Sequence, residues 1–185
     1  MDALILTVYL DTLGGMVRLG SRTLRQAFRP PFERELWMEQ LLQLGVRSLT
    51  ITNVTLLFTG MVLALQIAYT LTAFGAKLYI GEVVAMALVR ELGPVLTALM
   101  VGGRVGAGIT AELGSMVVTE QVDAMRSMSA DPVRKLVVPR LWATLVSLPL
   151  LTVLADAMGI LGGMVIAVFQ EGLSPTFFLS RAVRL

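Results

Sequence analysis

The sequence predicts an all-α protein that crosses a membrane several times. Hydrophobic residues make up 56% of the 185-residue chain and charged residues only 15%, and the mean hydropathy is +0.79. An ordinary globular domain is about 25% charged, and a soluble chain of this length could not bury so much apolar surface. The composition therefore indicates that lipid is the solvent for most of the chain.

Residue types that are missing or scarce exclude several classes of function. The chain contains no Cys and no His, which excludes thiolate chemistry and removes the commonest general base and metal ligand. We therefore predict no catalytic residue and no metal site. The formal net charge of +2 is too small to indicate nucleic-acid binding. The N-terminal segment begins with Asp2 after Met1 and lacks the basic start of a secretory signal, so we expect it to be retained.

Residues 1–47 are predicted to form amphipathic helices at the membrane surface. Four arginines share one helical face: Arg18, Arg22, Arg25 and Arg29. Val17, Leu24 and Phe28 fall on another face, as in basic helices that lie at an interface; the alternative is a solvated surface helix of a soluble domain. The pair Pro30–Pro31 ends this helix, and a second one follows. Its apolar positions repeat at i, i+4 and i+7: Trp37, Leu41 and Leu44.

Residues 48–185 form the membrane domain, with predicted spans at 49–74, 92–111 and 141–169. The first contains no charged residue and would extend about 40 Å as a helix, more than the ~30 Å hydrocarbon core requires. The second contains only one charge, Arg104, and the third only Asp156. Lys and Arg are concentrated before the first span and between the last two, which places both regions in the cytoplasm. Three spans leave the C-terminal end on the opposite side, so we expect the chain to be incomplete.

The stretch from Val101 to Met125, VGGRVGAGITAELGSMVVTEQVDAM, surrounds one arginine with glycines. It lacks the Lys-Ser/Thr pair of a Walker A loop and the strand–turn–helix setting of a dinucleotide fingerprint. Gly102 and Gly106 instead have the four-residue spacing with which small residues let membrane helices approach closely. This packing occurs either within one subunit or between two copies.

Charged residues inside the spans are predicted to face protein or a water-filled path, because a charge in lipid is costly. Asp156 is a candidate partner for Arg104, although the two lie at different predicted depths. Glu112, near the cytoplasmic interface, is a candidate partner for Arg140. Arg90–Glu91 lies at the outer end of the second span, either as an interfacial pair that reaches the headgroups or as the polar end of a site for an amphiphile.

Residues 119–128 are predicted to form a short amphipathic helix between the second and third spans. Its apolar positions repeat at i, i+4 and i+7: Val118, Val122 and Met125. Thr119 is a candidate cap, and acidic residues in the first turns suit the helix dipole. Asp131–Pro132 is predicted to begin the helix that leads into the third span. Between two spans, such a helix would let a cytoplasmic partner move them; the alternative is a solvated loop.

These residues resemble the signature core of the MlaE-type permease family, the membrane subunits of ABC transporters that act with MCE-domain proteins on lipids. The resemblance is carried by RELGPVLTALMVGGRVGAGITAELGSMVVTEQVDAMRSMSADPVRKLVVPRLWA, with LFTGMVLALQ before it and LPLLTVLADAMGILGG after it. It extends from about Leu36 to the end of the chain. Complete family members have five spans, so the chain resembles a member that lacks the last two membrane helices.

The resemblance implies a homodimeric permease of the bacterial inner membrane with a separate ABC ATPase and a periplasmic MCE-domain partner. ATP and Mg²⁺ would bind the ATPase, and this chain would bind no cofactor. The family's coupling helix corresponds to residues 119–128, with these candidate contacts: Glu120, Gln121, Asp123 and Met125. The family's lipid cavity corresponds to these residues: Leu63, Leu65, Gln66, Arg90, Glu91 and Leu92.

The function predicted from the resemblance is transport of phospholipid or a related lipid between the inner membrane and the periplasmic carrier. Two alternatives come from other classes of protein. Arg104 and Asp156 suggest an ion or proton pathway, which would move charge without an ATPase. The missing helices suggest a scaffold subunit that does not translocate lipid.

Overall fold

The computed structural model describes residues 2–28 and 34–183, with the backbone alone for residues 2–6. Every regular element in this part of the chain is helical, which confirms the all-α prediction. The α-helices are α1 (Asp2–Ala27), α2 (Arg34–Leu41), α3 (Arg47–Ala73), α4 (Ile80–Ala87), α5 (Gly93–Val118), α6 (Gln121–Ser127), α7 (Val138–Glu171) and α8 (Pro175–Ala182). Short π-helical segments join several of them: Leu42–Val46, Leu88–Leu92 and Val133–Val137.

Three continuous helical rods are long and apolar enough to cross a membrane, as predicted: Arg34–Ala73, Lys77–Val118 and Val133–Glu171. Each rod extends beyond its predicted span and contains one π-helical segment. The second rod continues through residues 80–92 before the predicted span, because helix formation needs no lipid and does not stop where a charged pair such as Arg90–Glu91 occurs. Pro94 lies in the first turn of α5, where its missing N–H removes no helical hydrogen bond.

The tightest packing in the described chain joins α3 and α7. Both helices bury residues at a strict four-residue spacing, and all but one leucine in each helix are small. In α3 these are Ser48, Thr52, Leu56, Gly60, Ala64 and Ala68, and in α7 Ala143, Ser147, Leu151, Ala155, Gly159, Gly163 and Ala167. A side chain added to Gly60 would overlap the backbone of Gly159, and one added to Gly162 would overlap the Leu57 backbone. Small residues therefore let the two backbones touch, the usual basis of close helix packing in membranes.

Larger apolar side chains fill the space between this helix pair, α4 and α8. The buried cluster includes Leu56, Val84, Leu88 and Phe178, and Phe178 packs on the bare backbone of Gly81. α8 begins with a side-chain cap: the Ser174 hydroxyl accepts a hydrogen bond from the Phe177 N–H, and Pro175 is the first helical residue. α8 thus packs its apolar face against the rods instead of projecting away from them.

The N-terminal helix α1 packs through its last turns. The indole N–H of Trp142 donates to the Ala27 carbonyl at 3.2 Å, and the Trp142 ring meets Phe28 edge-on at a centroid distance of 5.9 Å. Its earlier side chains, from residue 7 onwards, are largely exposed. Arg29 and Pro30–Pro31 lie outside the described residues, and a position of α1 at the membrane surface stays a prediction.

Candidate functional site

The connection between α5 and α6 contains only two residues, Thr119 and Glu120. Glu120 has a left-handed backbone (φ +56°), which turns the chain sharply between the helices. The prediction that Thr119 caps the short helix is wrong: its hydroxyl donates back to the Ser115 carbonyl at 2.8 Å and so closes the end of α5. α6 consequently begins at Gln121, two residues after the predicted start.

The short helix α6 presents a polar surface on the outside of the chain. Three of the predicted coupling residues are exposed: Glu120, Gln121 and Asp123. Met125, the fourth, is half-buried together with Val122. Arg126 donates to the Asp123 carboxylate at 2.9 Å on the exposed face. The helix is thus anchored by its apolar side, and its charged side is exposed.

The segment after α6 is fastened to α1 through Asp131. As predicted, Asp131 begins the next helix, since its carboxylate accepts the Val133 N–H at 3.0 Å. The same carboxylate accepts a hydrogen bond from the Gln26 amide and lies 3.4 Å from the Arg22 guanidinium. Burial acts to raise the pKa of Asp131, but these three donors outweigh it and lower the pKa below its ordinary value.

A buried ion pair joins α5 to α7 at the same end of the rods. The guanidinium of Arg140, whose side chain is only 6% exposed, lies 2.6 Å from the Glu112 carboxylate, which is 45% exposed. Arg140 also donates to the Gln40 side-chain oxygen at 3.3 Å. The pairing of Glu112 with Arg140 confirms one of the two predicted alternatives, and it ties three helices together next to α6.

The other predicted pair does not form. Arg104 donates to the Ser48 hydroxyl at 2.9 Å. Asp156 packs against Gly93, and one of its carboxylate oxygens is buried without a hydrogen-bond partner in the described structure. Gly93 lies eleven residues before Arg104, which is about 16 Å along a helix. Arg104 and Asp156 therefore lie too far apart to pair.

The glycines around Arg104 have no packing partner within the described chain. A side chain added to Gly102 or Gly106 would meet no atom within 4 Å. No described residue of the chain therefore packs on these two glycines. Contact between two copies stays a prediction.

The six predicted lipid-binding residues divide into two groups. Four are exposed: Leu65, Gln66, Arg90 and Glu91. Leu63 and Leu92 are half-buried and pack against the hydrophobic core. Arg90–Glu91 lies within the π-helical segment Leu88–Leu92, a type of distortion that is frequent at functional sites. Helical periodicity in the sequence gave no indication of this segment.

Two adjoining cavities near Arg104 were not predicted. Cavity A, of about 230 Å³, is lined by Gln40, Gln43, Leu44, Arg47, Arg104, Val105, Gly108, Ile109 and Glu112. Cavity B, of about 380 Å³, is lined by Arg47, Thr50, Ile51, Val54, Thr55 and Arg104. Arg47 and Arg104 line both. The only sequence signal was Arg47 at the charged edge of the first span, and the cavities depend on how α5 lies against the first rod.

Comparison with known proteins assigns the chain to a family. The model of the Permease MlaE family matches residues 37–185. A probable ABC transporter permease protein of Rickettsia felis is 40% identical over 93% of this chain and 66% of its own length. The intermembrane phospholipid transport system permease protein MlaE of Haemophilus influenzae is 44% identical over 78% of this chain and 56% of its own length.

A plant relative is also similar: the chloroplastic protein TRIGALACTOSYLDIACYLGLYCEROL 1 of Arabidopsis thaliana is 36% identical over 80% of this chain and 42% of its own length. The chain thus spans two thirds or less of the length of these curated relatives. The family match covers most of the chain and includes all three rods except the first three residues of the first. The chain belongs to the MlaE permease family.

Proposed function

We propose that this chain is the permease part of an ABC transporter that moves phospholipid or a related lipid between the bacterial inner membrane and a periplasmic MCE-type carrier. The observation that carries the proposal is α6, a short helix joined by two residues to a membrane-crossing rod, with its charged face exposed. Two relatives support it by name: one is a probable ABC transporter permease protein, and the other is an intermembrane phospholipid transport system permease protein.

In this proposal a separate ATPase binds ATP and Mg²⁺, and it binds α6 from the cytoplasmic side. Glu120, Gln121 and Asp123 form the contact surface, and Met125 holds the helix to the chain. Closure of the ATPase would push α6, and the short connection would pass the displacement to α5. The Glu112–Arg140 ion pair would pass it on to α7.

Lipid would bind at the opposite end of α5. Arg90 and Glu91 are exposed there on the π-helical segment and would meet the polar headgroup. Leu65 and Gln66 are exposed on α3, while Leu63 and Leu92 support the wall from the core side. A second copy of the chain would complete the cavity, with the unpacked face around Gly102 and Gly106 as a candidate contact between the copies.

The ion-pathway alternative is weakened by the structure, because the two charges that suggested it do not approach each other. Lipid-stimulated ATP hydrolysis by the reconstituted complex would separate the three functions. A lipid transporter shows it, an ion pathway shows charge movement without the ATPase, and a scaffold shows neither.

The coupling surface is tested by reversing its charge. The double substitution Glu120→Lys with Asp123→Lys should abolish co-purification of the ATPase, because both exposed carboxylates would become like charges to the groups that bind them. The matched control is Glu35→Lys with Glu39→Lys, which reverses two exposed glutamates on α2 and should retain the ATPase. Retention of the ATPase by the α6 variant would contradict the proposal.

A further inference from the structure

Cavities A and B share Arg47 and Arg104 and lie between the first rod and α5, and we call the two together the Arg47–Arg104 groove. Its members are the lining residues already given for the two cavities. Glu112 lines it, so it lies at the end of α5 that leads to α6. Arg104 is about 20 Å along the rod from Arg90–Glu91. The groove is therefore separate from the proposed lipid cavity.

The groove contains two arginines whose charges no carboxylate neutralises. Arg47 has neither a hydrogen bond nor an ion pair from its side chain in the described chain. Arg104 donates to a neutral hydroxyl, that of Ser48. Glu112 is the only acid in the lining, and its carboxylate is paired with Arg140 at 2.6 Å. Two uncompensated cations at one groove favour an anionic ligand.

Arg104 is held in place before any ligand arrives. The Ser48 hydroxyl that accepts its hydrogen bond itself donates to the Leu44 carbonyl at 2.7 Å, and both Ser48 and Leu44 are buried. One guanidinium nitrogen is engaged in this way, and the remaining donors are free within the described structure. A fixed guanidinium with free N–H groups is suited to bidentate binding of a phosphate.

The two ends of the groove differ in polarity. The end toward α2 carries two amide side chains, Gln40 and Gln43. Cavity B extends along the first rod past two apolar side chains, Ile51 and Val54, which are 46% and 48% exposed. A free phosphate would use only the polar end. A ligand with an anionic head and an apolar chain would use both.

We propose that the Arg47–Arg104 groove binds the phosphate group of an anionic phospholipid, with an acyl chain along Ile51 and Val54. This inference goes beyond transport, because binding in the groove requires neither the ATPase nor the cavity at Arg90–Glu91. It adds a second lipid site at the α6 end of the rods. A lipid bound there would contact the first rod and α5 at once.

The test measures bound lipid on the purified 185-residue chain by native mass spectrometry, with phosphatidylglycerol titrated against phosphatidylcholine. Arg47→Gln should weaken phosphatidylglycerol binding about tenfold, since one charge-assisted hydrogen bond to the phosphate is lost. Adding Arg104→Gln should reduce it to the level of phosphatidylcholine. Phosphatidylglycerol binding that changes less than twofold in both variants would overturn the proposal.

Arg47→Gln should not cause misfolding, because the Arg47 side chain makes no hydrogen bond or ion pair in the described structure. Circular dichroism and gel filtration should match those of the unsubstituted chain. The charge-matched control is Arg34→Gln with Lys77→Gln, two exposed cations outside the groove, and it should retain phosphatidylglycerol. Equal loss in this control would show a nonspecific charge effect and overturn the site.

The source of the phosphate is distinguished by competition. Millimolar glycerol phosphate or inorganic phosphate should not displace phosphatidylglycerol, and Ile51→Trp, which fills the apolar end, should weaken the lipid while both arginines remain. Displacement by inorganic phosphate with no effect of Ile51→Trp would identify a free-phosphate site and overturn the lipid assignment. Glu120→Lys with Asp123→Lys should leave groove binding unchanged, so failure of the coupling proposal and failure of this one are distinguishable.

Discussion

Glycines occur in two opposite settings in this protein. In the contact between α3 and α7, Gly60 and Gly159 bring two backbones together, and a side chain at Gly60 would overlap the opposite backbone. On α5, Gly102 and Gly106 have the same four-residue spacing, yet no atom of the described chain lies within 4 Å of an added side chain. The same residue type therefore builds the fold in one place and leaves a bare surface in the other.

The difference shows what identifies a packing surface in a membrane helix. The α3 and α7 stripes repeat small or buried residues at every fourth position over six or more positions, so each stripe matches the other along its length. A four-residue step turns about 40° past a full helical turn, and two such stripes stay in contact because the helices cross. Gly102 and Gly106 have no such partner stripe among the residues that the structure describes.

The sharpest test of this contrast replaces one glycine by alanine in the α3–α7 contact and one on the exposed face of α5. Gly60→Ala should destabilise the folded chain by about 2–3 kcal/mol, because the methyl group meets backbone atoms that cannot move aside. Gly106→Ala should be neutral or stabilise it by up to about 1 kcal/mol through helix propensity. Thermal unfolding in detergent measures both.

Equal effects of the two alanines would contradict the distinction between the settings. The bulkier Gly106→Leu should leave unfolding of the single chain unchanged. If the α5 surface contacts a second copy, the same variant should reduce the mass of the complex measured by light scattering.

A second test concerns how α5 is held, given that its glycine surface is unpacked. Glu112→Gln should destabilise the chain by about 2 kcal/mol, because it leaves the buried Arg140 guanidinium without a counter-charge; a fully buried pair would lose about 3–5 kcal/mol. The exposed pair of Asp123 and Arg126 provides the control, and Asp123→Asn should cost less than about 0.5 kcal/mol. Equal costs would show that burial of Arg140 has no energetic consequence.

The smallest expected effect concerns α1, which is fastened through Asp131. The pKa of Asp131 is lowered in the folded chain. The Asp131 carboxylate therefore stabilises the contact of α1 with the rods at pH values above its ordinary pKa of 3.8. This contribution is lost as the pH falls through the lower pKa of the folded state. Trp142 fluorescence reports the contact with Phe28 and should change over this acidic range. The effect should not exceed about 1 kcal/mol.

In Asp131→Asn the same fluorescence should lose its dependence on pH between about 5 and 2. Glu35→Gln, at an exposed position on α2, should leave the dependence intact. A dependence that persists in Asp131→Asn would assign the transition to another carboxylate.

The three rods could be predicted from the sequence because length and apolarity decide whether a helix can cross a membrane. A local signal also sufficed at Asp131, where the side chain bonds to a nearby backbone group. The Glu112–Arg140 pair could also be predicted, since both residues lie at the same end of their spans. These features depend on distance along the chain or on depth in the membrane.

Partners across helices were harder to predict. Arg104 binds Ser48 and not Asp156 because of how the helices are rotated and shifted relative to one another. The Arg47–Arg104 groove depends on the same rotation and shift. Buried residues of the second rod illustrate the difficulty. They repeat at four-residue steps up to Leu88 and then skip to Gly93 before continuing at Thr97 and Val101. A helical wheel drawn with a uniform α-helical repeat therefore does not place the buried residues before and after this step on one side.

The π-helical segment Leu88–Leu92 explains that skip and has a consequence for related chains. It places two buried positions, Leu88 and Gly93, five residues apart, where an α-helix would place them four apart. Removal of one residue there would return the segment to an α-helix while Gly93, Thr97 and Val101 kept their side toward the core. Deletion of one residue between Gly60 and Ala64 would instead rotate half of α3 out of its contact with α7. Chain length can therefore vary by one residue beside Arg90–Glu91 without disturbing the rods, whereas the α3–α7 contact has a fixed length.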